Sequence, residues 1–151
     1  MRFIHYLNNN ISGAYNFGIQ LAYDVHQYNI AMTNIKAVIV DEERRARVNL
    51  RRLLGQFPEI EIAGEADSCE SAIEMINLNN PQLVFLDIQL RGETGFDLLE
   101  FLENPISIIF VTAYEKNAIS AFEGNSIDYI AKPVNPERLK DAIEMVKKLL
   151  N

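Results

Sequence analysis

The sequence predicts an α/β protein: a doubly wound, five-stranded parallel sheet with helices on both faces, preceded by an N-terminal extension. Two observations carry the prediction. Short apolar runs alternate with helix-period segments, and most of those runs are nearly continuous, as strands buried on both faces require. At 151 residues, with 48% hydrophobic and 23% charged residues, the chain has the composition and length of one globular domain.

Residues 1–34 stand apart. They hold two charged residues, Arg2 and Asp24, six asparagines and no proline, whereas the remaining 117 hold all five prolines and the whole net charge of -7. This places a boundary at Asn34, between an extension of unknown role (1–34) and the body (35–151). The extension is read either as an upstream addition to a start at Met32 or as a docking element. Tyr15, Phe17, Ile19, Leu21, Tyr23 and Val25 alternate strictly, which is strand periodicity, although a helix stays open. No run approaches the roughly 18 apolar residues of a membrane span, and no basic start precedes an apolar stretch, so neither anchor nor signal peptide is expected.

From Ile35 the elements follow in order. Residues 36–40, 83–86 and 106–111 are the continuous apolar strands, residues 59–63 alternate as an edge strand does, and residues 127–131 supply the fifth. Residues 43–46 run straight into the first helix of the body. Asp67 with Glu70 predicts a capped helix carrying Ala72, Ile73 and Ile76. Asn135 as N-cap and Pro136 at the first position predict the last helix, with Leu139, Ala142, Ile143, Val146, Leu149 and Leu150 on one face. Parallel strands need helical crossovers, so five helices are expected with the five strands.

Composition narrows function. With 14 basic against 21 acidic residues, direct nucleic-acid binding by this chain is disfavoured. The lone Cys69 forms neither an internal disulfide nor a multi-cysteine zinc site, and fits a reducing cytoplasm. His5 and His26 both lie in the extension, which argues against histidine-based hydrolase triads.

In an open parallel sheet, chemistry sits beyond the carboxyl ends of the strands. There the sequence places Asp41-Glu42 after the first strand, Asp87 after the third, Thr112 after the fourth and Lys132 after the fifth. Each alone has an ordinary explanation as a turn residue, a helix cap or a solvated lysine. Together they are compatible: crowded carboxylates call for a hard divalent cation such as Mg²⁺, and a hydroxyl with an ammonium suits phosphoryl oxygens. That combination is a phosphoryl-transfer site.

The motifs at residues 38–42 (VIVDE), 83–87 (LVFLD) with Gly92 and Gly95, 111–113 (VTA) and 129–133 (YIAKP) resemble those of the response-regulator receiver domain of two-component signalling. Residues 110–114 with Ala118, 121–123 and 127–129 resemble its LytR/AlgR class. The resemblance covers residues 35–151 and implies a flavodoxin-like sheet of strand order 2-1-3-4-5. It implies that Asp87 accepts a phosphoryl group from a sensor histidine kinase, giving an acyl phosphate. It implies Mg²⁺ held by Asp41, Glu42, Asp87 and the backbone carbonyl of Gln89, and Lys132 binding a phosphoryl oxygen from a cis Lys132–Pro133 bond. Thr112 and Tyr129 become the switch pair, homodimerisation follows phosphorylation, and transcription is controlled through a C-terminal DNA-binding domain absent here. The chain is then a cytoplasmic switch that carries out only its own phosphorylation and dephosphorylation, not an enzyme acting on an external substrate.

Two departures from the family pattern stand out. Arg91 precedes Gly92 where a proline is usual, implying a less rigid loop, and Glu42 replaces the commoner Asp with a longer arm. A haloacid-dehalogenase-type phosphatase wants a second Asp two residues after the nucleophile, where this chain has Gln89. The remaining alternative is a stand-alone or pseudo-receiver interaction module, which the intact acidic pair, Asp87, Thr112 and Lys132 argue against. Arg44, Arg45, Arg47, Arg51 and Arg52 mark the first helix of the body as a solvated face or a kinase-docking surface, and Ala118, Phe122, Lys140 and Lys147 are candidate contacts of the dimer.

Overall fold

The computed structural model describes residues 16–25, 34–103, 105–114 and 126–150. The chain divides into two units, Met1–Asn34 and Ile35–Asn151. In the first, residues 16–25 form a helix, α1, and not the strand that their alternation predicts. A period of two is rewarded only when a sheet buries one face. Here Phe17, Ile19, Leu21, Tyr23 and Val25 are all more than half exposed, so local bonding decides, including a Gln20 side chain that donates to Asp24 one turn on at 2.8 Å.

The second unit runs β1 (Ile35–Val40), α2 (Arg44–Leu54), β2 (Ile60–Ala66), α3 (Cys69–Asn79), β3 (Leu83–Leu86), β4 (Gln89–Leu90), β5 (Glu93–Thr94), α4 (Gly95–Glu100), β6 (Ser107–Thr112), β7 (Ser126–Ala131) and α5 (Pro136–Leu150). The main sheet has the order β2-β1-β3-β6-β7, and every pairing in it is parallel. With the small β4–β5 hairpin set aside, this is the expected 2-1-3-4-5 order. The helix expected between β6 and β7 falls at residues 115–125, outside the described residues, together with Ala118 and Phe122.

Strand alternation sorts the core into two layers. Ala37, Ile39, Phe85, Ile109, Val111 and Ile130 face Leu50, Leu53 and Leu54 of α2 and Leu139, Ala142, Ile143 and Val146 of α5. Their strand neighbours Val38, Val40, Val84, Leu86, Ile108 and Phe110 face Ala72 and Ile76 of α3 and Leu98 of α4. The continuous apolar runs thus read as two interleaved period-two patterns, one for each face. Each fully buried leucine or isoleucine contributes about 1.5–3 kcal/mol by leaving water.

Two local expectations change. The N-cap of α3 is Ser68, whose Oγ accepts the Ser71 N–H at 3.1 Å while the Ser71 Oγ accepts the Ser68 N–H at 3.2 Å. The short Ser68 hydroxyl takes the cap position, which puts Ser71 rather than Glu70 at the third helical position. Leu149, predicted on the buried face of α5, is 63% exposed, because the helix outruns its layer after Val146. Lys147, a candidate dimer contact, lies 3.3 Å from both Glu59 and Glu144, tying α5 to the segment that leads into β2. The N-cap of α5 is as expected: the Asn135 Oδ1 accepts the Glu137 and Arg138 N–H groups at 2.9 and 3.1 Å.

Candidate functional site

The ladder continues one residue past the strands, and this fixes the site's backbone. Asp41 N–H donates to the Ala66 carbonyl at 3.0 Å, Asp87 N–H to Val40 at 2.9 Å and Lys132 N–H to Thr112 at 2.9 Å. All three side chains therefore leave one edge of the sheet. Asp41 and Asp87 are each only 5% exposed and Thr112 is fully buried.

The Lys132 ammonium closes the group. Its Nζ lies 2.6 Å from Asp41 Oδ2 and 2.8 Å from Asp87 Oδ2, so the two carboxylates converge on one point. The opposite oxygens are held by the backbone: Glu43 N–H donates to Asp41 Oδ1 at 2.9 Å, and Gln89 N–H to Asp87 Oδ1 at 3.1 Å. Burial pushes the Asp41 carboxyl above its ordinary value, outweighing the lowering from Lys132 and the Glu43 N–H. Burial alone would lower the Lys132 pKa, but its hydrogen bonds to Asp41 and Asp87 prevail and raise it. The Lys132–Pro133 peptide is cis.

The other predicted residues lie around this centre. Glu42 is half-buried beside Asp41, in the turn that leads into α2. Among the described residues it is not gathered with the two aspartates into a ready three-ligand cluster, and the ammonium already neutralises much of their charge. The Asp41 and Asp87 oxygens nevertheless converge at the sheet edge beside a cleft, and an all-oxygen donor set fits a hard cation that retains several waters. Thr112 ends β6, and its Oγ1 accepts the Tyr114 N–H at 3.3 Å. Half-buried Tyr129 donates its hydroxyl to the Tyr114 carbonyl at 2.6 Å. Thr112, Tyr114 and Tyr129 thus form one hydrogen-bonded relay, with Tyr114 as the link that sequence reasoning missed.

The support of the site adds further residues. Gly95 N–H donates to the Ile88 carbonyl at 2.6 Å, and a Cβ on Gly95 would stand 2.5 Å from the Asp87 carbonyl oxygen. Only glycine lets α4 start this close to the Asp87 backbone. Arg91 and Gly92 form the turn of the β4–β5 hairpin, with Gly92 at φ 69°. Arg138 pairs with Asp128 through both carboxylate oxygens and donates to the Tyr129 carbonyl at 2.6 Å, fastening the start of α5 to β7. Cys69 is buried, and burial followed by Glu93 pushes its thiol up to about 11, so it is no thiolate nucleophile.

The arginines of α2 are not one uniform face. Arg47 turns inward to the loop carbonyls of Asp41 and Glu42, Arg51 pairs with Glu65 at 3.1 Å, and Arg52 bonds to Asn49 at 3.0 Å. Arg44 and Arg45 line an open depression with Glu42, Glu43 and Arg91. A cleft of about 230 Å³ beside Asp41 and Lys132 is walled in part by Arg45, Asn49, Pro133 and Val134. Among the described residues no helix is long and apolar enough to cross a membrane.

Comparison with known proteins identifies the family and the fold. The family model described as "Response regulator receiver domain" matches residues 37–144. A sensory transduction protein LytT of Bacillus anthracis is 44% identical over 117 residues, covering 76% of this chain and 48% of the relative. The LytT protein of Bacillus subtilis is 37% identical over 118 residues, covering 76% and 49%. The chain therefore spans about half the length of the curated relatives it matches. Among solved structures, the PhyR response regulator REC domain of Erythrobacter litoralis superposes with a TM-score of 0.68 at 26% identity, covering 77% of this chain and 92% of that one. With the family model matched over most of its length, the chain belongs to the response regulator receiver domain family of two-component signalling, and its LytT relatives are consistent with the LytR/AlgR class.

Proposed function

We propose that this chain is a phosphorylation switch in which Asp87 accepts a phosphoryl group from the phosphohistidine of a sensor histidine kinase. One observation carries the reading: buried Asp87 holds one oxygen on the Gln89 N–H and the other on Lys132, beside a second buried aspartate. An Asp87 oxygen attacks phosphorus, the P–O bond forms as the P–N bond to the donor imidazole breaks, and the freed nitrogen keeps its electron pair. Lys132 stays within reach of the transferred oxygens and balances their charge. Asp41, Glu42, Asp87 and the Gln89 carbonyl are the residues that would hold Mg²⁺. The cation, when bound, supplies charge neutralisation for the incoming phosphoryl group.

The output side follows from the relay. The Thr112 hydroxyl bonds to the phosphoryl group, releases the Tyr114 N–H and changes the setting of Tyr129, which biases a surface near β7 and α5. That surface supports a homodimer of phosphorylated chains, and in the whole protein it serves transcription through a C-terminal DNA-binding domain. The setting is the cytoplasm, and residues 1–34 form an extension separate from the receiver.

The test uses acetyl phosphate, a small phosphodonor, with Mg²⁺. Wild-type protein gains one phosphoryl group per chain by intact mass, hydroxylamine removes it, and both EDTA and Asp87→Ala abolish it. Stoichiometric labelling of the Asp87→Ala protein overturns the assignment.

A further inference from the structure

Among the described residues, Arg47 is the one arginine of α2 whose side chain donates to backbone. Its Nη1 donates to the Asp41 carbonyl at 2.8 Å and to the Glu42 carbonyl at 3.3 Å. The same residue's N–H donates to the Glu43 carbonyl at 3.1 Å, opening α2. Three successive carbonyls, of residues 41, 42 and 43, thus terminate on one residue, and Asp41 and Glu42 are the two acidic residues of the candidate site.

The arrangement answers a physical problem. The loop between β1 and α2 must leave the sheet edge and still present two neighbouring carboxylates to it. Asp41 is buried, so its carbonyl cannot rely on water, and an unpaired buried carbonyl costs about 1–3 kcal/mol. The guanidinium meets that need from the helix side. α2 also has no acidic residue in its first turn, so Arg47 sits against the helix dipole, an unfavourable place for a cation that its loop contacts offset. The side-chain contacts of Arg47 are with these backbone carbonyls and not with the Asp41 or Glu42 carboxylates. The role of Arg47 is therefore geometric.

We propose that Arg47 is a positioning residue that sets the metal-binding geometry of Asp41 and Glu42 by clamping their carbonyls, and is not part of a kinase-docking face. The inference rests on the reading of Asp41, Glu42 and Asp87 as the Mg²⁺ site. Outer-shell partners of metal ligands typically change affinity by about 10–100-fold when removed.

The experiment measures Mg²⁺ binding to the full chain by titration calorimetry, with thermal melting in EDTA and acetyl phosphate labelling alongside. Arg47→Gln is expected to weaken Mg²⁺ binding by about tenfold or more. Its labelling is slow at low Mg²⁺ and recovers towards the wild-type rate at saturating Mg²⁺. Arg47→Lys, which keeps the charge on a folded chain but not the planar fork, is expected to lie between the two. Wild-type Mg²⁺ affinity in folded Arg47→Lys and Arg47→Gln overturns the proposal, whether or not transfer from a kinase is slowed. So does a fall in melting temperature without a change in affinity. If wild-type protein itself neither binds Mg²⁺ nor labels at Asp87, the underlying reading of the site fails instead.

Discussion

Lys132 is the residue on which the site's electrostatics turn. It stands between two buried carboxylates, and removing it leaves them facing each other uncompensated. Lys132→Met is expected to lose about 3 kcal/mol in urea unfolding at neutral pH in EDTA, with part recovered on adding Mg²⁺. The pH dependence has a definite sign. Because the folded pKa of Lys132 is raised, its stabilisation is complete below 10.5 and is lost as pH rises through the folded value. Wild-type protein should therefore show an alkaline loss of stability that Lys132→Met lacks; identical pH profiles would remove the ion pair from the account. Asp41, also raised, contributes the opposite of a paired carboxylate. Its favourable share exists below 3.8 and is lost as pH climbs through its folded value, so at neutral pH its ionised form is a cost carried at a functional position.

At the scale of elements, the start of α4 sets the position of Asp87. A Cβ on Gly95 would meet the Asp87 carbonyl oxygen at 2.5 Å and the Ile88 Cα at 3.1 Å, both backbone atoms. Gly95→Ala should cost about 1–3 kcal/mol and slow acetyl phosphate labelling roughly tenfold or more by displacing Asp87. Lowered stability with unchanged labelling would mean that α4 alone gives way. The β-strands were legible because continuous apolar runs ending in polar residues have few other uses, and Asp41, Asp87, Thr112 and Lys132 were legible as strand ends. The β4–β5 hairpin was not, since two-residue strands carry no periodicity. Nor was α1, whose alternation imitates a strand while no described sheet receives it. Arg47 and Lys147 were visible only as charges: whether an arginine faces solvent or a carbonyl depends on its rotamer, which sequence does not display.

For the whole molecule, the relay from Thr112 through Tyr114 to Tyr129 connects the site to the side of the sheet where β7 and α5 meet. Sedimentation with beryllofluoride, a phosphoryl mimic, should shift the protein towards dimer, and Thr112→Ala should weaken the shift. Lys147→Ala should leave it intact, because Lys147 is engaged with Glu59 and Glu144. A dimer of equal affinity in both states would instead assign association to residues 1–34, and deleting residues 1–31 would abolish it. The same sheet order governs how the site comes into being. Every main-sheet pairing is parallel and joins strands separated by a crossover, and β1 lies between β2 and β3 while β3 in turn pairs with β6. Such non-local topologies fold slowly, because loops must close before the pairings can form. During synthesis Asp41 emerges first, then Asp87 and then Lys132, so a nascent chain that stops before residue 132 holds both aspartates without their ammonium. The ion-paired cluster of Asp41, Asp87 and Lys132 is in that sense a property only of the assembled sheet.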